Sequence, residues 1–234
     1  MSQLNVTSLK HEGASGDNIT LSSNGNVGIG TSLPLGDLTV TRSDAAELVL
    51  QATGAGGNAW FVQTGNTGST INGALRFYDY NAGAERMRID SAGRVTKPYQ
   101  PMFSASRYLS NGNVSSNLTR FLWGTIFINQ GSNFNNTTGD FTCPVAGNYF
   151  VTFNFNKRAS YNNWIGAAIL RNGDLVSSSW VPPSTLNDFA YCPLTLNVIL
   201  ACAASDTISF AYFNAYSTPS IDNDGNFCSV QLIG

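Results

Sequence analysis

Trp123–Phe153 reads WGTIFINQGSNFNNTTGDFTCPVAGNYFVTF, and this stretch decides how the rest of the chain is read. Aromatic residues fall at Trp123, Phe134, Phe141, Tyr149 and Phe153, separated by Asn, Gly, Ser and Thr with almost no charge. Bulky aromatic and β-branched side chains suit a half-buried pleated surface, whereas Asn, Gly and Pro let the backbone reverse. The pattern predicts strand, polar turn, strand, a second turn over PVAGN, then a strand over YFVTF.

The composition around this stretch points the same way. The chain has 234 residues, enough for one large β domain or two smaller ones, and 23 glycines. No run carries apolar residues at helical spacing over three turns, so the profile is all-β with many turns. With 11% charged residues and a net charge of −2, the chain lacks the basic stripe of a nucleic-acid-binding protein. No segment is apolar over the length needed for membrane insertion as a helix. The opening MSQLNVTSLKHEG contains no apolar core of a signal peptide.

The spacing within Trp123–Tyr149 also resembles the signature of complement-type globular heads, jelly rolls related to the tumour necrosis factor fold. That signature has an aromatic residue, then Asn or Asp, an aromatic, Phe, and Gly-x-Tyr. Trp123, Asn129, Phe134, Phe141, Gly147 and Tyr149 fall in its register. Trp123 stands where Phe is usual, and Val151 where a Phe usually follows the Tyr; both are apolar. The resemblance implies a two-sheet jelly roll over 99–234, opened by MFSASRYL and closed by NFCSVQLIG, with about eight strands. Asn172-Gly173, between apolar runs, is a two-residue hairpin signal in its own right.

Upstream, a phrase recurs. NITLSSNGNV (18–27) and RMRIDSAGRV (86–95) align at an offset of 68 residues. Ile19, Leu21, Gly25 and Val27 match Met87, Ile89, Gly93 and Val95. Each reads as a strand, a Gly turn and a short return strand. Pro34 and Gly36 turn the chain before another alternating strand. A hairpin with one apolar face is not stable alone, so the repeats call for partners, and three copies of the chain would supply them. The hairpins resemble repeats in tailed-phage fibres, particularly those of cyanobacterial phages. Between them, alternation in Glu47–Leu50, Ala59–Gln63 and Ala74–Tyr80 places Leu48, Leu50, Trp60, Val62, Leu75 and Phe77 on one side. The expected organisation is a fibrous attachment region over 1–42, an intertwined β domain over 43–98, and the head over 99–234. RVTKPYQP serves as the linker.

The sequence offers little chemistry. His11 is the only histidine and lies in a polar arm, so no Ser-His-Asp or Cys-His nucleophile can be assembled. Cys143, Cys192, Cys202 and Cys228 are even in number, which admits two disulfides, but include no CxxC pair and read foremost as reduced, buried thiols. No cofactor is expected. Asp222 and Asp224, in SIDNDGNF, read foremost as a turn, then as weak calcium ligands, and last as an acid/base pair. Aromatics in polar company suggest recognition: Tyr108, Tyr161, Trp164, Trp180, Tyr212 and Tyr216. An aromatic face answers the apolar face of a sugar ring, while trimer axes of this fold are lined by aromatics too. Tyr161 and Trp180 look most loop-like and lead the receptor-binding candidates, followed by Tyr108 and Tyr216.

Together the resemblances imply an all-β homotrimer, non-enzymatic, with an N-terminal fibrous hairpin region and a C-terminal jelly-roll β-sandwich head. The role implied is a virion tail fibre made in the bacterial cytoplasm. Its N-terminus would join a phage tail or baseplate protein, and its head would recognise a host-surface glycan. A glycan-degrading tailspike and a cellular surface lectin of the same fold are the alternatives.

Overall fold

The computed structural model describes residues 6–66, 68, 71–115, 118–158, 164–181, 191–214 and 225–233. It describes the backbone alone at 108, 110–115, 157, 158, 181, 191, 192 and 214. Among these residues there is no helix, and the chain divides into two units, Met1–Pro98 and Tyr99–Gly234.

The first unit holds two single sheets. Strands β1 (Ser8–Leu9), β2 (Ile19–Leu21), β3 (Val27–Ile29) and β4 (Leu38–Val40) form one in that order. The β2–β3 turn is closed by Ser22 N to Asn26 O (2.9 Å) and Gly25 N to Ser22 O (3.0 Å), with Gly25 at φ 87°. Strand β4 pairs parallel to β3, so the Pro34–Gly36 segment is a crossover and not a hairpin turn. The crossover stays tight because Gly28 and Gly30 lie against the carbonyls of Thr31 and Thr41, where a Cβ would collide.

Strands β5 (Ala45–Gln51), β6 (Ala59–Gly65), β7 (Leu75–Asp79), β8 (Ala84–Ile89) and β9 (Val95–Thr96) form an antiparallel meander. The β8–β9 turn repeats the earlier one: Asp90 N to Arg94 O at 3.0 Å, Gly93 N to Asp90 O at 2.9 Å, and Gly93 at φ 81°. The two copies of the phrase therefore build the same turn. Register pairs Leu48 with Val62, Leu50 with Trp60, Val62 with Phe77, Phe77 with Met87 and Leu75 with Ile89. Directly paired residues share a face, so one side of the meander is apolar, and Leu48, Leu50, Trp60 and Leu75 remain exposed there. The opposite side carries a polar ladder. Gln63 Nε2 donates to Glu47 (2.6 Å), Arg76 Nε donates to Gln63 (2.7 Å), and Arg88 pairs with Glu85 (2.7 Å).

Among the described residues the second unit is a β-sandwich of ten strands. They are β10 (Met102–Ser115), β11 (Leu118–Gln130), β12 (Phe134–Asn135), β13 (Asp140–Thr142), β14 (Gly147–Arg158), β15 (Ile165–Arg171), β16 (Asp174–Val181), β17 (Tyr191–Cys202), β18 (Thr207–Asn214) and β19 (Phe227–Leu232). One layer runs β17-β14-β19-β10-β11, and the other runs β12-β13-β18-β15-β16. The start of β11 joins the layers by pairing Leu118–Arg120 with Ala211–Phe213. Between the layers lies an aromatic core of Phe103, Phe121, Trp123, Phe141, Tyr149, Phe153, Phe155 and Phe210, all buried. Edge-on contacts such as Trp123–Phe210 (5.8 Å) and Trp123–Phe153 (6.0 Å) interlock it.

Each signature position has a physical task here. Asn129 accepts from Phe134 N and donates to Phe134 O, both at 3.0 Å, and so holds the turn that delivers Phe134 onto Phe103 (3.8 Å between rings). Tyr149 is fully buried and its hydroxyl donates to Val145 O at 2.8 Å. Val151, in the position usual for Phe, is fully buried. Gly147 starts β14 opposite Cys202. Asn172 (φ 54°) and Gly173 (φ 86°) form the β15–β16 turn with both residues left-handed, as an Asn-Gly hairpin requires.

Candidate functional site

The sandwich has two poles. Chain entry at Met102, the β17–β18 turn and the Asn172-Gly173 turn share one pole, because Met102 pairs with Gln130 and Gln231, and Gly147 with Cys202. At the other pole Arg158 pairs with Tyr191, Ile165 with both Val181 and Asn214, and Asn154 with Phe227. The strand ends flanking residues 159–163, 182–190 and 215–224 therefore gather opposite the chain entry. Of the receptor-binding candidates, Tyr161 and Tyr216 lie outside the described residues, as do Asp222 and Asp224. Tyr108 is described in its backbone alone, opposite Trp123 on β11. Tyr212 belongs to the core, stacked on Phe155 at 6.3 Å, while Trp164 is exposed at the far pole.

Trp180 is the candidate the structure develops, with a correction. It is not in a loop. It sits in β16, the outermost strand of its layer, paired with Gly166. The preceding Ser177-Ser178-Ser179 carries no apolar alternation, so the sequence shows the strand that leaves the Asn172-Gly173 turn but not its extension to Trp180. In β15, Ile165, Ala167 and Ile169 enter the core, and Gly166 therefore faces outward with Ala168 and Leu170. Gly166 pairs with Trp180 on one side and Phe213 on the other. The Trp180 and Phe213 rings meet across it, 4.6 Å apart and 24° from parallel. A Cβ on residue 166 would lie 2.9 Å from Trp180 Cδ2 and 3.0 Å from Cε3, so glycine makes the room for this stack. Phe213, which the sequence reading did not single out, rests on the buried cluster Ala168, Leu170 and Ala211. Only the across-strand register exposes its role.

The electrostatics are quiet. Arg120 pairs with both oxygens of Asp140 at 2.7 and 2.8 Å, so these two charges compensate each other. Near the entry pole, Cys143 and Cys202 are buried neighbours. Burial and the adjacent thiol push Cys143 up to about 12, and burial is the main cause of the rise at Cys202. Both shifts favour the neutral thiol over the nucleophilic thiolate. Cys228 is likewise a buried free thiol. Among the described residues no cluster of His, Cys, Asp or Glu could hold a metal ion.

Comparison with known proteins bears on the second unit. A search of curated proteins finds no match. The globular domain of zebrafish complement 1qA protein is 17% identical, covering 58% of this chain and 98% of its own (TM-score 0.43). Murine APRIL is 12% identical at pH 8.0 (56% and 98% covered, TM-score 0.44) and 13% at pH 5.0 (57% and 99%, TM-score 0.45). Residues 102–180 match the family profile described as C1q domain, a stretch that lies within the second unit.

Proposed function

We propose that the protein is a homotrimeric, non-enzymatic attachment protein of a tailed virus. The first unit joins the tail, and the C1q-like head recognises a glycan on the host surface. The observation that supports this most is the joining of such a head to a unit built from two copies of one short hairpin. The five-stranded sheet of that unit keeps an apolar face exposed, with Leu50 at 61%. Eight apolar side chains on one side of a single sheet make a poor monomer surface and a good seam between copies. The hairpin phrase resembles those of phage fibres, and a jelly roll by itself would carry no such reading. Calcium and a joining partner on the baseplate belong to this reading as secondary proposals.

The test uses antibody raised against the head. Gold labelling of tailed particles at their tail ends, together with inhibition of adsorption by the purified chain, is the expected outcome. Labelling confined to cell surfaces would favour the surface-lectin alternative. Shortening of host polysaccharide by the chain would favour the tailspike.

A further inference from the structure

We propose that Trp180, Gly166 and Phe213 form a subsite for one uncharged hexopyranose ring; this rests on the glycan-recognition role proposed above. Three structural features carry it. Trp180 is 45% exposed although one face of its indole is stacked on Phe213, so a broad aromatic surface remains open at the outermost strand. The ring is held in advance: Phe213 is seated on Ala168, Leu170 and Ala211, and the bare Gly166 lets the indole lie against the sheet. A side chain already fixed by packing loses little freedom when a ligand lands on it. Finally, the surroundings are neutral and hydroxylic. Ser178 is exposed two residues along the same face, and Arg120 and Asp140 neutralise each other. An uncharged ring with an apolar face and hydroxyl edges matches that chemistry, whereas an acidic sugar finds no counter-charge among these residues.

The strand ends at Ile165, Val181, Tyr191 and Asn214 gather at the same pole, so further sugar units would extend from this subsite toward them. One ring over one aromatic platform makes a weak site, in the millimolar range. Several copies on one particle raise apparent affinity by roughly 10² to 10⁴.

The experiment titrates the full chain with the methyl glycosides of glucose, galactose, mannose and N-acetylglucosamine, read by saturation-transfer NMR. At least one glycoside is expected to bind, and Trp180→Ala to weaken it at least tenfold while the β-rich fold and the oligomer mass are retained. Phe213→Leu, which keeps the apolar seat but removes the stack, is expected to weaken it severalfold. The subsite is overturned if no glycoside binds the parent, or if Trp180→Ala binds as the parent does. It is also overturned if Trp180→Ala lowers the oligomer mass, since a second copy then covers the ring. Adhesion of the labelled chain to host cells separates the two levels. Adhesion unaffected by Trp180→Ala removes the subsite and leaves the attachment role standing, while a parent that does not adhere removes the role itself.

Discussion

Tyr149 offers a graded perturbation, because its ring and its hydroxyl do separable work. The ring is fully buried, edge-on to Phe141 at 6.0 Å, and its phenol is pushed up to about 12, chiefly by burial. Truncation to Ala removes the whole ring from a packed core, a change that costs about 3–5 kcal/mol. Tyr149→Phe removes only the hydroxyl, which donates to Val145 O. Val145 is 46% exposed, so water can replace the lost donor, and the cost should be about 0.5–1.5 kcal/mol. Calorimetry at one fixed protein concentration would measure both, since assembly makes melting temperature depend on concentration. At roughly 3 °C per kcal/mol, Tyr149→Phe should lower the head transition by about 2–4 °C and Tyr149→Ala by about 9–15 °C. A loss below about 1 kcal/mol for the Ala variant would refute the core assignment. Equal losses for the two variants would refute the division between ring and hydroxyl.

Three other outcomes follow from the described contacts. Residues 99–234, which contain the whole aromatic core, should fold without the first unit into a β-rich protein; persistent insolubility or a random-coil spectrum would contradict the division at Pro98/Tyr99. Asp79 is held down at about 2, first by hydrogen bonds from Arg86 and Asn58 and then by Ala82 N. Its folded value lies below the ordinary 3.8, so its contribution is present above pH 4 and disappears as pH falls toward 2. Asp79→Asn should therefore destabilise the first unit at pH 7 and flatten its acid unfolding between pH 4 and 2; an unchanged acid profile would refute the contact. Cys143, Cys202 and Cys228 should react with a disulfide reagent only slowly in the native protein and at once after denaturation without reductant. Rapid native labelling of all three would contradict their burial.

What the sequence disclosed, and what it hid, divides along the range of the interactions. Asn129, Phe134 and Tyr149 were legible because each acts within a few residues of itself: a side chain holding a turn, a ring following it, a hydroxyl reaching back four positions. Asn172-Gly173 and the Gly25 and Gly93 turns were legible for the same reason, their left-handed backbones being written in glycine and asparagine. The direction of β4 was not, because Gly28 and Gly30 reveal their close approach only once Thr31 and Thr41 are placed. Asn136 accepts from Trp123 N (2.9 Å) and donates to Trp123 O (2.8 Å), a pairing across thirteen residues that no local pattern marks. Trp180 stands out in the sequence for its polar company, which suggests a loop. Its actual setting depends on Gly166 and Phe213, distant along the chain and brought alongside by strand register.

Assembly is the central claim, since the proposed trimer gives the exposed apolar face of the first unit its partner. Light scattering coupled to size-exclusion chromatography, at micromolar concentration, tests it directly. The 25.0 kDa chain should elute as a single species of about 75 kDa, a closed ring of three. A folded species of about 25 kDa at that concentration, with the melting transition of an intact β protein, would contradict it.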